Sequence, residues 1–593
     1  MKKQLCLIAM VGLLSTLVAC GNSDSSIGEN VNSTVNSSTS ASSSSTSQGS
    51  KYEGKEQNNL LSKAQTTYKD ANGETKRLND NTLYTNAGNP HMDSTSEGEQ
   101  HVLVVPFAFE KDSSDGSYIE PTSKTLSYIN DAFKATDEEM KQKYNGAYYS
   151  LESFYNHSSY GKANFECDVL PSWVTYTGTA SKFLSDGGQG QAGAYASKFI
   201  RNYYISEYSK QNHGILGEDA KPLSYYDANK DGYIDLMWIV YSYKDTSGSD
   251  WWAYVTYTGN SSNLQQPEVK TLAWAATSFM QGSADSHTFI HETGHTMGLD
   301  DYYDYHGKWK PMGAIDYMDQ NLGDHNAFSK FQLGWVEPWV VSKEELEKAD
   351  NKKLIIKLDA FTNTGDCVVI PSPNYNNTAF DEYFIIELVG PTGIAKYDYD
   401  NGYESTHGFT TAGIRVLHVD ARVYSQVQAN DYTYPYLKTA DEVGQKGVAW
   451  RLDNSYGGRA GKGTNDKGNA DFFFITSGSS TSKNYMPLVS LVEASYQKFN
   501  NLNSSGYIAS NSSLFRRNSS FDLYKGTVKN YMPSRSALWD KAKTITKWTS
   551  NTTKVDKIDE TMTCDVGFRV LDIVSNDTTG YSAYLEFNIT SSK

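Results

Sequence analysis

Cysteine is scarce in this chain, with five among 593 residues. Cys6 and Cys20 fall in the first twenty positions, which leaves Cys167, Cys367 and Cys564, an odd number at wide spacing. That pattern excludes a disulfide framework and allows one bridge at most. Positive charge is also short: 53 Lys and Arg stand against 69 Asp and Glu, for a formal net charge of −16. A nucleic-acid surface is basic, so nucleic acid is not an expected partner, and the acidity reads as solvation plus metal-site carboxylates. Long apolar runs are missing as well. The run at 5–18 is too short for an ordinary membrane-spanning helix. No repeat of fixed period stands out.

What the N-terminus does have is the pattern of an export signal. Lys2 and Lys3 form a charged start before the apolar run. The stretch Leu17-Val18-Ala19-Cys20-Gly21 closes it and resembles a bacterial lipoprotein lipobox. That resemblance implies a signal peptide at 1–19, cleavage before Cys20, a lipid on its thiol, and a protein held at the outer side of the cell membrane. Residues 20–50 are dominated by Ser, Thr, Asn and Gly and read as a disordered tether. At about 5–6 Å times the square root of the residue count, such a coil reaches roughly 30 Å. Residues 51–100 stay polar and weakly patterned, and read as further linker or a short pro-segment.

The remaining chain is too long for one ordinary core. The runs 101–109 and 235–243 are nearly continuous in apolar residues, as in strands buried on both faces. Between them, 191–210 has helical spacing, with Ala192, Ala196, Phe199 and Tyr203 on one stripe. Strands alternating with helices predict an α/β layer, and 101–345 is assigned as one domain. From 350 to 593, short strand-like runs at 383–389, 413–419, 487–492 and 581–588 are separated by Gly, Asn and Ser turns. That texture predicts an all-β, sandwich-like region.

The decisive motif is His291-Glu292-Thr293-Gly294-His295, continuing to Gly298 and Asp301. It reads H-E-x-x-H-x-x-G-x-x-D. Residues four apart share a helix face, so His291 and His295 are placed to hold one ion, with Glu292 beside it as general base. Gly298 allows the left-handed turn that ends a helix, and Asp301 then arrives as third ligand. Three protein ligands with an open fourth position is the pattern of a catalytic zinc. The offset favours Asp301 over its neighbour Asp300, and over His306 and His325 further on.

A second motif is Asp227-x-Asn229-x-Asp231-Gly232-Tyr233-x-Asp235, with oxygen side chains at alternate positions around a glycine turn. It matches the front half of a calcium-binding loop, with Tyr233 offering its carbonyl. The bidentate Glu of an EF-hand is absent, because Trp238 stands at that position. An Asp/Asn turn feeding a strand is the plainer reading.

Taken together, several stretches resemble the immune inhibitor A family of bacterial zinc metallopeptidases. They are S-L-E-S-F-Y-N-H-S-S-Y-G-K at 150–162, D-A-N-K-D-G-Y-I-D at 227–235 and T-F-I-H-E-T-G-H-T-M-G-L-D-D-Y-Y-D at 288–304. G-D-H-N-A-F-S-K-F-Q-L-G-W at 323–335, E-Y-F-I-I-E at 382–387 and G-I-R-V-L-H-V-D at 413–420 also match. The resemblance covers about 100–430 and weakens afterwards; Asp300 stands where a proline is usual. It implies a metzincin-like α/β peptidase domain that cleaves protein or peptide substrates with Zn2+ as cofactor and Ca2+ as a structural ion. By the same resemblance, Met318 in Asp316-Tyr317-Met318-Asp319 would lie beneath the zinc ligands, with Met312 second to it. A different class of function competes: a lipid-anchored adhesin or glycan-binding protein whose tyrosine-rich β region does the work and whose zinc site is vestigial.

Overall fold

A computed structural model describes residues 49–78, 96–144, 148–303, 310–372, 375–421, 440, 450–451, 460–461, 488–494, 508–522, 543–549, 552–558 and 565–590. The proposed signal, Cys20, His306 and Cys564 lie outside the described residues. The architecture is mixed α/β with several sheets.

The largest sheet has the order Ala163–Val169, Gly98–Phe109, Leu236–Tyr241, Thr271–Ala276, Tyr254–Tyr257, with Val174–Tyr176 also pairing to Gly98–Phe109. Its pairs are parallel except the last, where Tyr254–Tyr257 runs antiparallel along the edge. The central strands are apolar at consecutive positions because both faces are covered. Val102, Val104, Trp238, Val240 and Ala273 pack on one side with Phe133, Phe154, Tyr155, Phe289 and Ile290. Leu103, Val105, Met237, Ile239 and Trp274 face the other side, against Ala192, Ala196, Ile200 and Tyr204 of the helix Ala192–Tyr208. Each large side chain buried in this way is worth about 1.5–3 kcal/mol. The two faces therefore hold the motif helix and the long helix on opposite sides of one rigid sheet.

Two further sheets follow. One has five strands in the order Trp339–Val340, Cys367–Pro371, Glu382–Val389, Gly413–Asp420, Val489–Val492. The other has four, Lys353–Asp359, Gly580–Ile589, Val566–Asn576 and Ser520–Phe521, all antiparallel. Leu354, Ile356 and Leu358 share a core with Val368, Ile370, Phe384 and Ile386 and with Phe568, Val570 and Leu585. The opposite face of the five-stranded sheet, including Val369, Ile385, Leu417 and Val419, enters the same apolar cluster as Phe289, Ile290, Phe328 and Phe331. The β region thus shares one continuous apolar cluster with the motif helix. Cys167 and Cys367 are both free and buried.

The described part of 51–100 is built into the fold. Ser50 Oγ donates to Asp572 Oδ2 at 3.0 Å, Gln57 N to Ile355 O at 2.7 Å and Asn58 Nδ2 to Lys357 O at 2.7 Å. Ala64 N and Gln65 N then reach Pro338 O and Asn377 O. The segment 50–65 is a polar strap along the two C-terminal sheets, which is why it lacks an apolar pattern of its own. Among the described residues no helix is long and apolar enough to cross a membrane.

Candidate metal centre

The helix carrying the motif runs His287–Thr296. It is set in place by two polar contacts in an otherwise apolar bed: Trp238 Nε1 donates to Thr293 Oγ1 at 2.9 Å, and Tyr155 Oη to Ile290 O at 2.6 Å. Its end is a glycine-capped reversal. Gly298 has φ 92°, its N–H donates to His295 O at 3.0 Å, and Leu299 N–H returns to Gly294 O at 3.1 Å. This pair of bonds is the Schellman arrangement, and it needs a residue that tolerates positive φ. The chain then doubles back, and Asp301 reaches the histidines.

His291 Nε2 lies 2.9 Å from Asp301 Oδ1 and His295 Nε2 3.4 Å from the same oxygen. One donor atom from each of the three residues lies within 4.8 Å of the others. The carboxylate brought to the histidines is that of Asp301, as the spacing predicts. Each imidazole is fixed from behind, His291 Nδ1 by Tyr317 O at 3.1 Å and His295 Nδ1 by Leu299 O at 2.8 Å. With Nδ1 held by a carbonyl, Nε2 is the nitrogen on each ring that can offer its lone pair to a metal once its own proton is displaced. Tetrahedral zinc with bonds of about 2.0–2.1 Å separates its ligand atoms by roughly 3.3 Å, so two nitrogens and one carboxylate at these spacings fit such an ion. Burial opposes charge on His295, yet the neighbouring Asp301 lifts its pKa to about 10. Burial likewise works against the Asp301 anion, but the two imidazoles hold it far below the usual carboxylate range. The centre is therefore strongly polarised, with a buried anion facing two nitrogen donors.

Glu292 is also buried, and its pKa is raised by that burial against the pull of His295 and His291. No hydrogen bond contributes to its shift. Met318 lies directly under the helix. A Cβ built on Gly294 would stand 2.9 Å from Met318 Sδ, so the glycine inside the motif makes room for the sulfur. Met318 O accepts Tyr302 N–H at 2.8 Å, and its own N–H donates to Asp316 Oδ1 at 3.0 Å. Met312 is buried in the same cluster. His325 stays apart from the group. It is fully buried among Phe154, Tyr155, Tyr317 and Trp335, neither ring nitrogen has a hydrogen-bond partner, and burial pushes its pKa well down.

One buried cluster beside this centre has no counterpart in the sequence reading. His287, at the start of the helix, is bonded through Nδ1 to Asp285 Oδ1 at 2.9 Å and through Nε2 to Asp398 Oδ1 at 3.1 Å. Tyr148 and Tyr403 stack on its two faces, each with ring centroids 3.9 Å away. Burial disfavours its charge, but the two carboxylates prevail and lift its pKa to about 10. An unfolded histidine titrates near about 6.5. The folded value is the higher one, so this stabilisation is complete below about pH 6.5 and is lost as pH rises through the folded value. The melting temperature of the wild type relative to His287→Gln is expected to fall between roughly pH 7 and 10. A difference that stays constant across that window, in melts of both proteins, would refute a buried imidazolium.

The aspartate loop closes on its own backbone. Asp227 Oδ1 and Oδ2 accept Asp231 N and Gly232 N, each at 3.0 Å. Asn229 Oδ1 accepts Asp231 N at 2.9 Å, Asp231 Oδ1 accepts Tyr233 N at 2.9 Å, and Asp235 Oδ2 accepts Ala228 N at 3.2 Å. Burial raises the Asp235 pKa to about 7. Among the described residues, Asp227, Asp231 and Asp235 do not form a group of three donor atoms within 4.8 Å. Trp238, where an EF-hand would supply glutamate, is instead the strand residue that anchors Thr293.

No protein-family model matches this chain, and no curated protein matches it significantly.

Proposed function

We propose that this protein is an exported zinc endopeptidase of the immune inhibitor A type, lipid-anchored through Cys20, that hydrolyses peptide bonds of extracellular proteins. On this reading residues 101–345 are a metzincin-like catalytic domain and residues 350–593 a sandwich-like β region. The observation that carries it is the convergence of His291, His295 and Asp301, with both imidazoles pinned at Nδ1, beside a buried carboxylate whose pKa is raised.

Zinc bound by these three residues would bring the pKa of a water down to about 7 and polarise the scissile carbonyl. Glu292 supplies the proton transfers: it accepts a proton from the attacking water and returns it to the leaving amine. Burial suits it to the task, since a carboxylate with a raised pKa takes a proton from water more readily, and the acid it forms is still strong enough to protonate the leaving amine. Asp301 sets the charge of the site, and Tyr317 and Leu299 carbonyls keep the imidazoles aimed. Met318 and Gly294 bring the helix close to the turn below it, so these aims do not drift.

The test is casein cleavage by the purified chain, with zinc determined by mass spectrometry. Cleavage that a zinc chelator stops and added zinc restores is the expected result. A chain that takes up no zinc would overturn the proposal.

Calcium is proposed as a structural ion at Asp227, Asn229, Asp231, Tyr233 and Asp235. A cation there would compete with the loop amides for oxygens and relieve the crowding of Asp227 on the buried Asp235. Excess EGTA is expected to lower the melting temperature. If calcium and EGTA give the same melt, the loop is a plain Asx turn.

A further inference from the structure

A second trio of donor atoms lies on the neighbouring strands Gly98–Phe109 and Ala163–Val169. His101 and Glu166 are register partners in that parallel pair, and Glu99 precedes His101 by two residues on the same strand. His101 Nε2 lies 3.1 Å from Glu99 Oε1 and 3.7 Å from Glu166 Oε2. Its Nδ1 is 2.6 Å from Tyr225 O, so Nδ1 carries a proton and Nε2 is the nitrogen turned toward the two carboxylates. Tyr225 fixes the group in two further ways. Its hydroxyl donates to Glu166 Oε1 at 2.6 Å, leaving Oε2 directed at the imidazole. Its ring stacks on His101 with centroids 4.1 Å apart and an interplanar angle of 5°.

This arrangement repeats that of His291, His295 and Asp301. In both, a backbone carbonyl holds imidazole Nδ1 and carboxylate oxygens stand between 2.9 Å and 3.7 Å from Nε2. Among the described residues these are the two groups whose three donor atoms lie within 4.8 Å. Two carboxylates with one neutral imidazole carry a charge that a divalent ion would balance. The donor spacing matches the roughly 3.3 Å between ligands of tetrahedral zinc. Imidazole in the set favours a transition ion over calcium, which takes six to eight oxygens.

We infer that Glu99, His101 and Glu166 form a second metal site, for a divalent transition ion of the zinc class. The Glu99 and Glu166 side chains are 61% and 52% exposed, which leaves water to complete the coordination. The ion clamps two neighbouring strands to the segment carrying Tyr225. Since the Asp235 carboxylate accepts the His101 backbone N–H, the clamp also bears on the 227–235 loop. Its role is structural, independent of any catalysis at His291.

The experiment is zinc binding to the whole chain by equilibrium dialysis and mass spectrometry, with melting temperature as second readout. Wild type is expected to hold two equivalents, Glu166→Gln one, His295→Ala one, and the double variant none. In the His295→Ala background zinc should still raise the melting temperature, calcium at the same concentration should not, and adding Glu166→Gln should abolish the rise. Glutamine keeps the shape of Glu166 and its bond from Tyr225, so loss of zinc there would not be loss of fold. If Glu166→Gln and His101→Ala bind as much zinc as wild type, the second site does not exist. Undiminished zinc in His295→Ala would instead count against the His291 centre and leave this one standing.

Discussion

Glu292→Ala is expected to keep its active-site zinc and lose cleavage by about 10²- to 10⁴-fold, the usual share of a positioned proton-transfer group. His295→Ala should lose the metal and the activity together. The contrast rests on geometry. His295 contributes a donor atom to the centre, with Nε2 3.4 Å from Asp301 Oδ1. Glu292 stands one residue from His291 on the helix, and no hydrogen bond engages its carboxylate in setting its pKa. Truncating it removes a proton carrier and leaves the three donors, the carbonyls behind them and the Met318 contact as they were. The variants are compared by zinc content and by kcat/KM on one peptide substrate. Cleavage at wild-type rate by Glu292→Ala would assign the base elsewhere. Loss of zinc from Glu292→Ala would mean that the glutamate is a ligand.

The second large effect is expected far from the motif. Arg415 is buried in the five-stranded sheet, with Nε 2.6 Å from Glu387 Oε1 and Nη1 3.0 Å from Ile315 O. Glu387 is fully buried and also accepts Ala327 N at 3.1 Å. Arg415→Met removes one partner of a desolvated ion pair, which costs about 3–5 kcal/mol because the remaining charge stays in the core. The double variant Arg415→Met/Glu387→Gln should be more stable than the single one, since no charge is then stranded. Thermal or denaturant melts of the three proteins decide this; a single variant as stable as wild type would show that the pair contributes nothing. Because Ile315 precedes Asp316, whose carboxylate holds Met318 N, Arg415→Met should also speed zinc loss to a chelator.

The grouping of His291, His295 and Asp301 was legible because its logic is local. Helix periodicity sets His291 against His295, and Gly298 with φ 92° delivers Asp301 within a few residues. The strands Leu236–Tyr241, Glu382–Val389 and Gly413–Asp420 announce themselves as apolar runs for the same reason, being buried along their length, and Gly98–Phe109 does so from Val102 onward. What could not be read joins distant parts of the chain. Asp398 meets His287 across 111 positions and Arg415 meets Ile315 across 100. Nothing near either residue marks it as a partner, because the partner is chosen by sheet packing. The strap at 50–65 was opaque for a related reason: its bonds run from backbone and amide groups to remote strands, which leaves no periodicity. His101 and Glu166 each look like an ordinary surface charge until the register of two parallel strands sets them side by side.

The strap has a mechanical consequence. If residues 1–48 tie the protein to a membrane, tension on that line enters the folded body at Ser50. It is taken up first by the Ser50–Asp572, Gln57–Ile355 and Asn58–Lys357 bonds, which load the four-stranded sheet in shear. The His287–Thr296 helix is braced at other points, by Trp238 and Tyr155. A tug on that line would load the four-stranded sheet before the bonds that brace this helix.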